Sequence, residues 1–515
     1  MLKQFKENKD NHKARRHPYA AKLHIFNIKN KIFQEKVISL QKNKCLYIKM
    51  LFNSISFLLF FPTICILYWG VPGRYRNLFL LFASYYFYMS WEPTYAILII
   101  FTSLSTWACA IFTNLTEKYK KIIITICLLI NLLILFLFKY YNFATDIIAS
   151  IISPSGYRIN IPYSHYLLPV GISFYTFQCI GYIIDVYRKD IEAEKDFVNY
   201  AVFVSFFPQL VAGPIERAKN LLPQFHTKHR FNGDTFIDGL KMMIWGYFMK
   251  LCIAGNVAPY VDAVYNNVPN HNGSSFLLAS IFFSFQIFCD FGGYSLIAIG
   301  TAKCLGFTLM QNFNHPYLSL SVKEFWRRWH ISLSSWFADY VYKPLGGSRC
   351  STIKHYRNLL FTMLISGLWH GANWTFVLWG GLHGIFLIVN SAYSKFVKHK
   401  SLSPKIIRIM TTYFFIVFAW IFFRANNVQD AFTIISKITT EQGHLFLGDG
   451  IPSLVLPILM ICILLIKEIK DEYQFRISLM HHKNPWISIP ASALVIAIIL
   501  LCAEFNSGQF IYFQF

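Results

Sequence analysis

Two tryptophan-flanked histidines, about 40 residues apart, offer the clearest chemistry in this 515-residue sequence. His370 sits in Ser366-Gly367-Leu368-Trp369-His370-Gly371-Ala372-Asn373-Trp374, an otherwise apolar run. Ionisable residues in such runs are costly and usually functional. A buried neutral imidazole suits general-base work, taking the proton from an attacking hydroxyl while an acyl group is transferred. The plainer role is a core histidine held by one hydrogen bond. Neighbouring Asn373 and Trp374, and a second flanked histidine, weigh against it. Gly371 would let a substrate or another backbone approach the ring closely.

The second histidine lies in Lys323-Glu324-Phe325-Trp326-Arg327-Arg328-Trp329-His330. On a helix, His330 would stand about one turn from Trp326 and Arg327. It would position a donor or polarise its carbonyl, and a structural role is equally open. Arg327 and Arg328 suit forked hydrogen bonds to a donor phosphate, although arginines also flank membrane helices on the cytoplasmic side. Asp290, in Phe288-Cys289-Asp290-Phe291-Gly292-Gly293, needs a partner such as His330, His370 or an arginine. Structural pairing is the stronger reading of that carboxylate, with helix-breaking glycines beside it. No metal is expected, because the two histidines have no third ligand at a recognisable spacing.

The elements that must carry these residues are membrane helices. Hydrophobic residues make up 55% of the chain, aromatics 18% and charged residues only 14%. Soluble domains carry about 25% charged residues, so soluble, disordered and collagenous classes are excluded. The 48 Lys+Arg against 25 Asp+Glu give +23, yet nucleic-acid binders are not this apolar, and no nucleic-acid partner is expected. The eleven cysteines are scattered, with no Cys-x-x-Cys pair, and read as small packing residues.

From Met50 onward, apolar runs follow one another from Leu51–Trp69 to Ile487–Cys502. They predict an all-α multi-pass protein with about eleven to thirteen membrane segments, several short or broken, around a central cavity. Leu359–Leu387 divides into two short segments on this reading, and breaks are expected at Gly171, Pro208–Pro214 and Gly292-Gly293. Residues 1–49 differ, with thirteen Lys/Arg and three Asp/Glu. They read as a dispensable basic extension or as an arm on anionic lipid headgroups. Short basic loops such as Glu216–Arg230 and Lys467–Lys483 belong on the cytoplasmic side.

On these motifs the chain resembles the membrane-bound O-acyltransferases, in the bacterial branch that acylates exported polymers. The marks are Trp329-His330, then Tyr342-Lys343-Pro344-Leu345-Gly346-Gly347, then Trp369-His370-Gly371-Ala372-Asn373-Trp374. The resemblance runs from Met50 to the C-terminus. It implies that His370 is the catalytic histidine and that His330 assists. Asp290, Asn373, Arg327 and Arg328 would form the polar shell. Ala338 and Ser348 depart from the common pattern without removing a catalytic group. The acetylating members look closer than the D-alanylating ones, which leaves D-alanyl transfer to a teichoic-acid-type polymer as the alternative within the branch. The resemblance further implies a cytoplasmic thioester donor, acetyl-CoA or an acyl carrier, with no tightly bound cofactor. An extracytoplasmic transferase partner would act on a polysaccharide, and the location would be the bacterial inner membrane.

The tail Gly508–Phe515 contains one nucleophilic hydroxyl, Tyr512. Tyr512 is either part of an interfacial aromatic anchor or a transient acyl carrier. A multi-pass transporter is the rival class, but no inverted repeat is visible.

Overall fold

The computed structural model describes residues 50–152, 162–164, 166–396, 403–448, 450–475 and 479–504, all within the Met50–Phe515 unit. Among these residues there are helices and loops but no strand. In chain order the first helices are α1 (Ile55–Gly70), α2 (Arg76–Met89), α3 (Ala96–Leu115), α4 (Lys120–Lys139) and α5 (Tyr141–Ile152). Then come α6 (Ile172–Arg188), α7 (Phe197–Ser205), α8 (Phe207–Leu210), α9 (Ala218–His226), α10 (Gly233–Tyr247) and α11 (Gly255–Tyr265). Next are α12 (Gly273–Cys304), α13 (Val322–Arg328), α14 (Ile331–Phe337), α15 (Thr352–His370) and α16 (Trp374–Phe396). The remainder are α17 (Lys405–Arg424), α18 (Val428–Thr440), α19 (Pro452–Glu472) and α20 (Pro485–Cys502).

Seven helices among the described residues are long and apolar enough to cross a membrane: Pro93–Leu115, α4, α12, Trp374–Ser394, α17, α19 and α20. The chain is an all-helical multi-pass membrane protein. Other apolar runs form shorter helices such as α1 and α5. Short pieces are tolerated where protein rather than lipid surrounds them.

Helix α12 is the central post: 83% of its most apolar window is buried in the protein, against 6% for α20. Its glycines do the opposite of what the sequence predicts. The helix runs unbroken through Gly292-Gly293. A Cβ on Gly293 would lie 2.6 Å from the Gly246 carbonyl oxygen, and one on Gly300 would lie 2.5 Å from that of Gly239. Both pairs therefore let α10 and α12 touch backbone to backbone, as small residues do between membrane helices. The expected breaks at Gly171 and Pro208–Pro214 are present. Gly171 is left-handed at φ 74° and begins α6, and the chain leaves helix after Leu210.

The Leu359–Leu387 run is two helices, α15 and α16, folded back at Gly371–Asn373. Their backbones also meet at glycine. A Cβ on Gly380 would stand 2.3 Å from the Met363 carbonyl oxygen. This close hairpin places His370 at its turn, as the last helical residue.

Candidate active site

His370 is buried, with 4% of its surface exposed. Its ring is boxed edge-on by Trp369 at 5.1 Å, Trp379 at 5.0 Å and Phe423 at 5.4 Å between centroids. These rings come from α15, α16 and α17, so the box exists only when the three helices are packed. After His370 the backbone is extended at Gly371. A Cβ there would fall 2.2 Å from the Phe376 ring. The group that approaches Gly371 is thus this aromatic ring, not another backbone.

His330 is also buried, at 1% exposure, but it does not lie on a helix as the sequence predicts. It sits in a left-handed conformation (φ 43°) between α13 and α14. Asn312 holds the break: its backbone carbonyl accepts from Ile331 N–H at 2.9 Å, and its side-chain oxygen accepts from Ser332 Oγ at 2.9 Å. The same Oδ1 lies 3.1 Å from His330 Nδ1. An amide oxygen only accepts, so the proton belongs on Nδ1 and Nε2 carries that ring's lone pair. Trp369 joins the two sites, its ring lying 6.1 Å from His330 and 5.1 Å from His370.

Among the described residues the ion pair of Asp290 is with Lys250, where the sequence offers a histidine or an arginine. Lys250 belongs to a π-helical turn, Phe248–Ala254, that follows α10 without interruption. The neighbouring Phe291 ring lies 4.6 Å from His330. Arg328 is committed elsewhere, with Glu472 at 2.7 Å and Glu324 at 2.6 Å. It ties α13 to α19 instead of joining the shell around His370. Asn373 caps the start of α16, accepting from Thr375 N–H at 3.0 Å.

Two cavities lie along the chain on either side of His370. One, of about 590 Å³, runs along α15 from His355 through Thr362 to Ser366, with Lys323, Trp326 and Arg327 on its wall. The other, of about 720 Å³, begins at Gly371 and includes Lys139, Asn373, Phe423 and Arg424. Arg424 is neutralised by Asp262 at 2.6 Å. Ser366, one helical turn before His370, lines the first cavity, and Gly371, directly after it, lines the second.

The family model for the membrane-bound O-acyltransferase family matches residues 192–429, which include both histidines. The chain is 40% identical to a probable alginate O-acetylase of Azotobacter vinelandii, over 76% of this chain and 78% of that protein. It is 32% identical to a peptidoglycan O-acetyltransferase of Helicobacter pylori, over 90% of this chain and 98% of that one. A teichoic acid D-alanyltransferase of Bacillus subtilis is 27% identical over 49% of this chain and 68% of its own length. The chain belongs to the membrane-bound O-acyltransferase family. It is an O-acyltransferase.

Two residues of this membrane-bound O-acyltransferase escape the sequence reading. His383 is fully buried on α16, with its Nδ1 accepting from Trp326 Nε1 at 3.3 Å. Trp379 separates it from His370. Its signal is a second His-Gly pair, His383-Gly384, 13 residues after the first. Lys139 ends α4 and contacts the turn at His370; its only signal is a charge closing an apolar run. Among the described residues no cluster of three His, Cys, Asp or Glu could hold a metal ion. Tyr512 lies outside the described residues.

Proposed function

We propose that this chain takes acetyl from a cytoplasmic thioester, acetyl-CoA or an acyl carrier, and passes it outward. The product is an O-acetylated exported or cell-surface polysaccharide, and the site is the bacterial inner membrane. The observation that carries the reading is the buried His370 at the turn between α15 and α16, with Ser366 on one cavity and Gly371 on the other. The basic pocket with Lys323 and Arg327 suits an anionic donor and belongs on the cytoplasmic side by its charge. Arg327 lies on that wall and contacts donor phosphate, whereas Arg328 supports the fold.

In the reaction, His370 takes the proton from an acceptor hydroxyl as its oxygen attacks the thioester carbonyl carbon. The tetrahedral intermediate collapses, the carbon–sulfur bond breaks and the departing thiolate takes the proton back from the imidazolium. His330 positions the donor through its neutral ring, and Asp290 and Asn373 hold the walls. Tyr512 is the first hydroxyl to receive acetyl, and a separate extracytoplasmic transferase moves it to the polymer. Support for acetyl over D-alanyl comes from the greater identity to proteins named as O-acetylating.

Labelled acetyl thioester supplied to the purified full chain tests the donor. Base hydrolysis of surface polymers from cells with and without the chain tests the acyl group. Acetate lost with the chain supports the proposal, and D-alanine lost instead selects the alternative. A Tyr512→Phe chain that still acetylates polymer at the normal rate removes the relay.

A further inference from the structure

The last four carbonyls of any helix lack intrahelical partners. In α15 those belong to Gly367, Leu368, Trp369 and His370, and every one is satisfied. Gly371 N–H donates to Gly367 at 3.4 Å. Tyr140 Oη donates to Leu368 at 3.0 Å. Lys139 Nζ donates to Trp369 and, at 3.3 Å, to His370. Two consecutive residues at the end of α4 therefore finish a helix some 230 positions away in sequence.

A lysine closing an apolar helix ordinarily carries its ammonium out to the water interface. This one turns inward. Its Nζ also reaches Ser173 Oγ at 3.4 Å and lies 5.6 Å from the Trp369 ring centre. No carboxylate lies within ion-pair distance of it among the described residues. Its charge is answered by carbonyl dipoles at the negative end of α15, where a cation is favoured. Ser173 belongs to α6, which also supplies Phe174 against Trp369 at 5.3 Å. The ammonium thus joins α4, α6 and α15 at the residue that carries the base.

We infer that Lys139 is a positioning residue for His370, fixing the end of α15 and hence the height and rotation of the imidazole. Extended backbone begins at Gly371, so without this cap the final turn is free to fray and the ring to shift. A displacement of about 1 Å costs on the order of 100-fold in rate. The inference rests on His370 acting as the base.

The test compares Lys139→Met, Lys139→Arg and Tyr140→Phe in the purified full chain, with Lys120→Met at the opposite end of α4 as control. Two quantities are read: acetyl-thioester turnover, and the rate of His370 carbethoxylation by diethyl pyrocarbonate, followed by mass spectrometry. Lys139→Met lowers kcat at least about tenfold with donor KM within about twofold, the pattern of lost orientation. It also changes the carbethoxylation rate, and Lys139→Arg restores most of both. Normal kcat in Lys139→Met, or a change confined to donor KM, overturns the inference. If Lys139→Met does not accumulate, Lys139→Arg and Tyr140→Phe decide. Slowed kcat at unchanged KM in Tyr140→Phe supports the cap, and wild-type values in both contradict it. Full activity in His370→Ala would remove the base assignment alone, because carbethoxylation still reports how Lys139 holds the ring.

Discussion

Asp290 forms a buried ion pair with Lys250, joining the central helix α12 to the π-helical turn that extends α10. Removing one member takes a buried ion-pair partner from the other. Asp290→Asn and Lys250→Met should each destabilise the protein by about 3–5 kcal/mol. Together they should cost less than the two separate losses, because the residues share one interaction. Unfolding in detergent checks this, and strict additivity would mean that the pair is not coupled.

Arg327 and Arg328 adjoin in sequence yet face different tasks. Arg327→Met should raise donor KM about tenfold, the scale of one lost charge-assisted hydrogen bond. Arg328→Met should lower the melting temperature through loss of Glu472 and Glu324 while leaving donor KM unchanged. Steady-state kinetics and thermal unfolding of the two variants separate them. A shared KM effect would place both on the donor.

Gly380 and Gly381 form a similar contrast. A methyl on Gly380 meets the Met363 backbone oxygen at 2.3 Å, whereas one on Gly381 meets the Leu364 side chain at 3.6 Å. Gly380→Ala should therefore force α15 and α16 apart at a cost of about 1–3 kcal/mol and depress activity. Gly381→Ala should be tolerated. Equal stability of the two variants would show that the hairpin is not held by this contact.

Glu216 lies in the loop between α8 and α9, with 1% of its surface exposed. Burial raises its carboxyl from an ordinary 4.5 to about 7, although the Met310 N–H donates to it. The folded state therefore holds a proton that the unfolded state has released, and stability falls as pH rises from about 4.5 to about 7. Glu216→Gln should remove that part of the slope. Unfolding measured across this window checks the sign, and a slope unchanged by the substitution would exclude Glu216 as its source.

Much of the architecture is legible because lipid leaves the chain few choices. Apolar runs fold as helices, and the Leu359–Leu387 run divides at Gly371–Asn373, where polar Asn373 caps the second helix. The two histidines stood out because aromatic residues and apolar neighbours surround them. Local patterns do not reveal partners. Asp290 finds Lys250 40 positions away, and Lys139 reaches His370 across 231. The left-handed turn at His330 depends on Asn312, which lies outside its motif. Gly292-Gly293 reads as a break in isolation, but Gly293 is a contact surface once α10 lies beside it. His383 carries a His-Gly pair like that of His370 but no flanking Asn or Trp pair, so its burial against Trp326 shows only in the fold.

The central claim is that His370 takes the acceptor's proton. Its most direct test is the single-turnover rate of acetyl transfer from labelled thioester by the purified full chain, comparing wild type with a folded His370→Ala variant. The account predicts that the variant still binds the donor but transfers acetyl at least about 100-fold more slowly, the lower range for a lost general base. Transfer at the wild-type rate would contradict it.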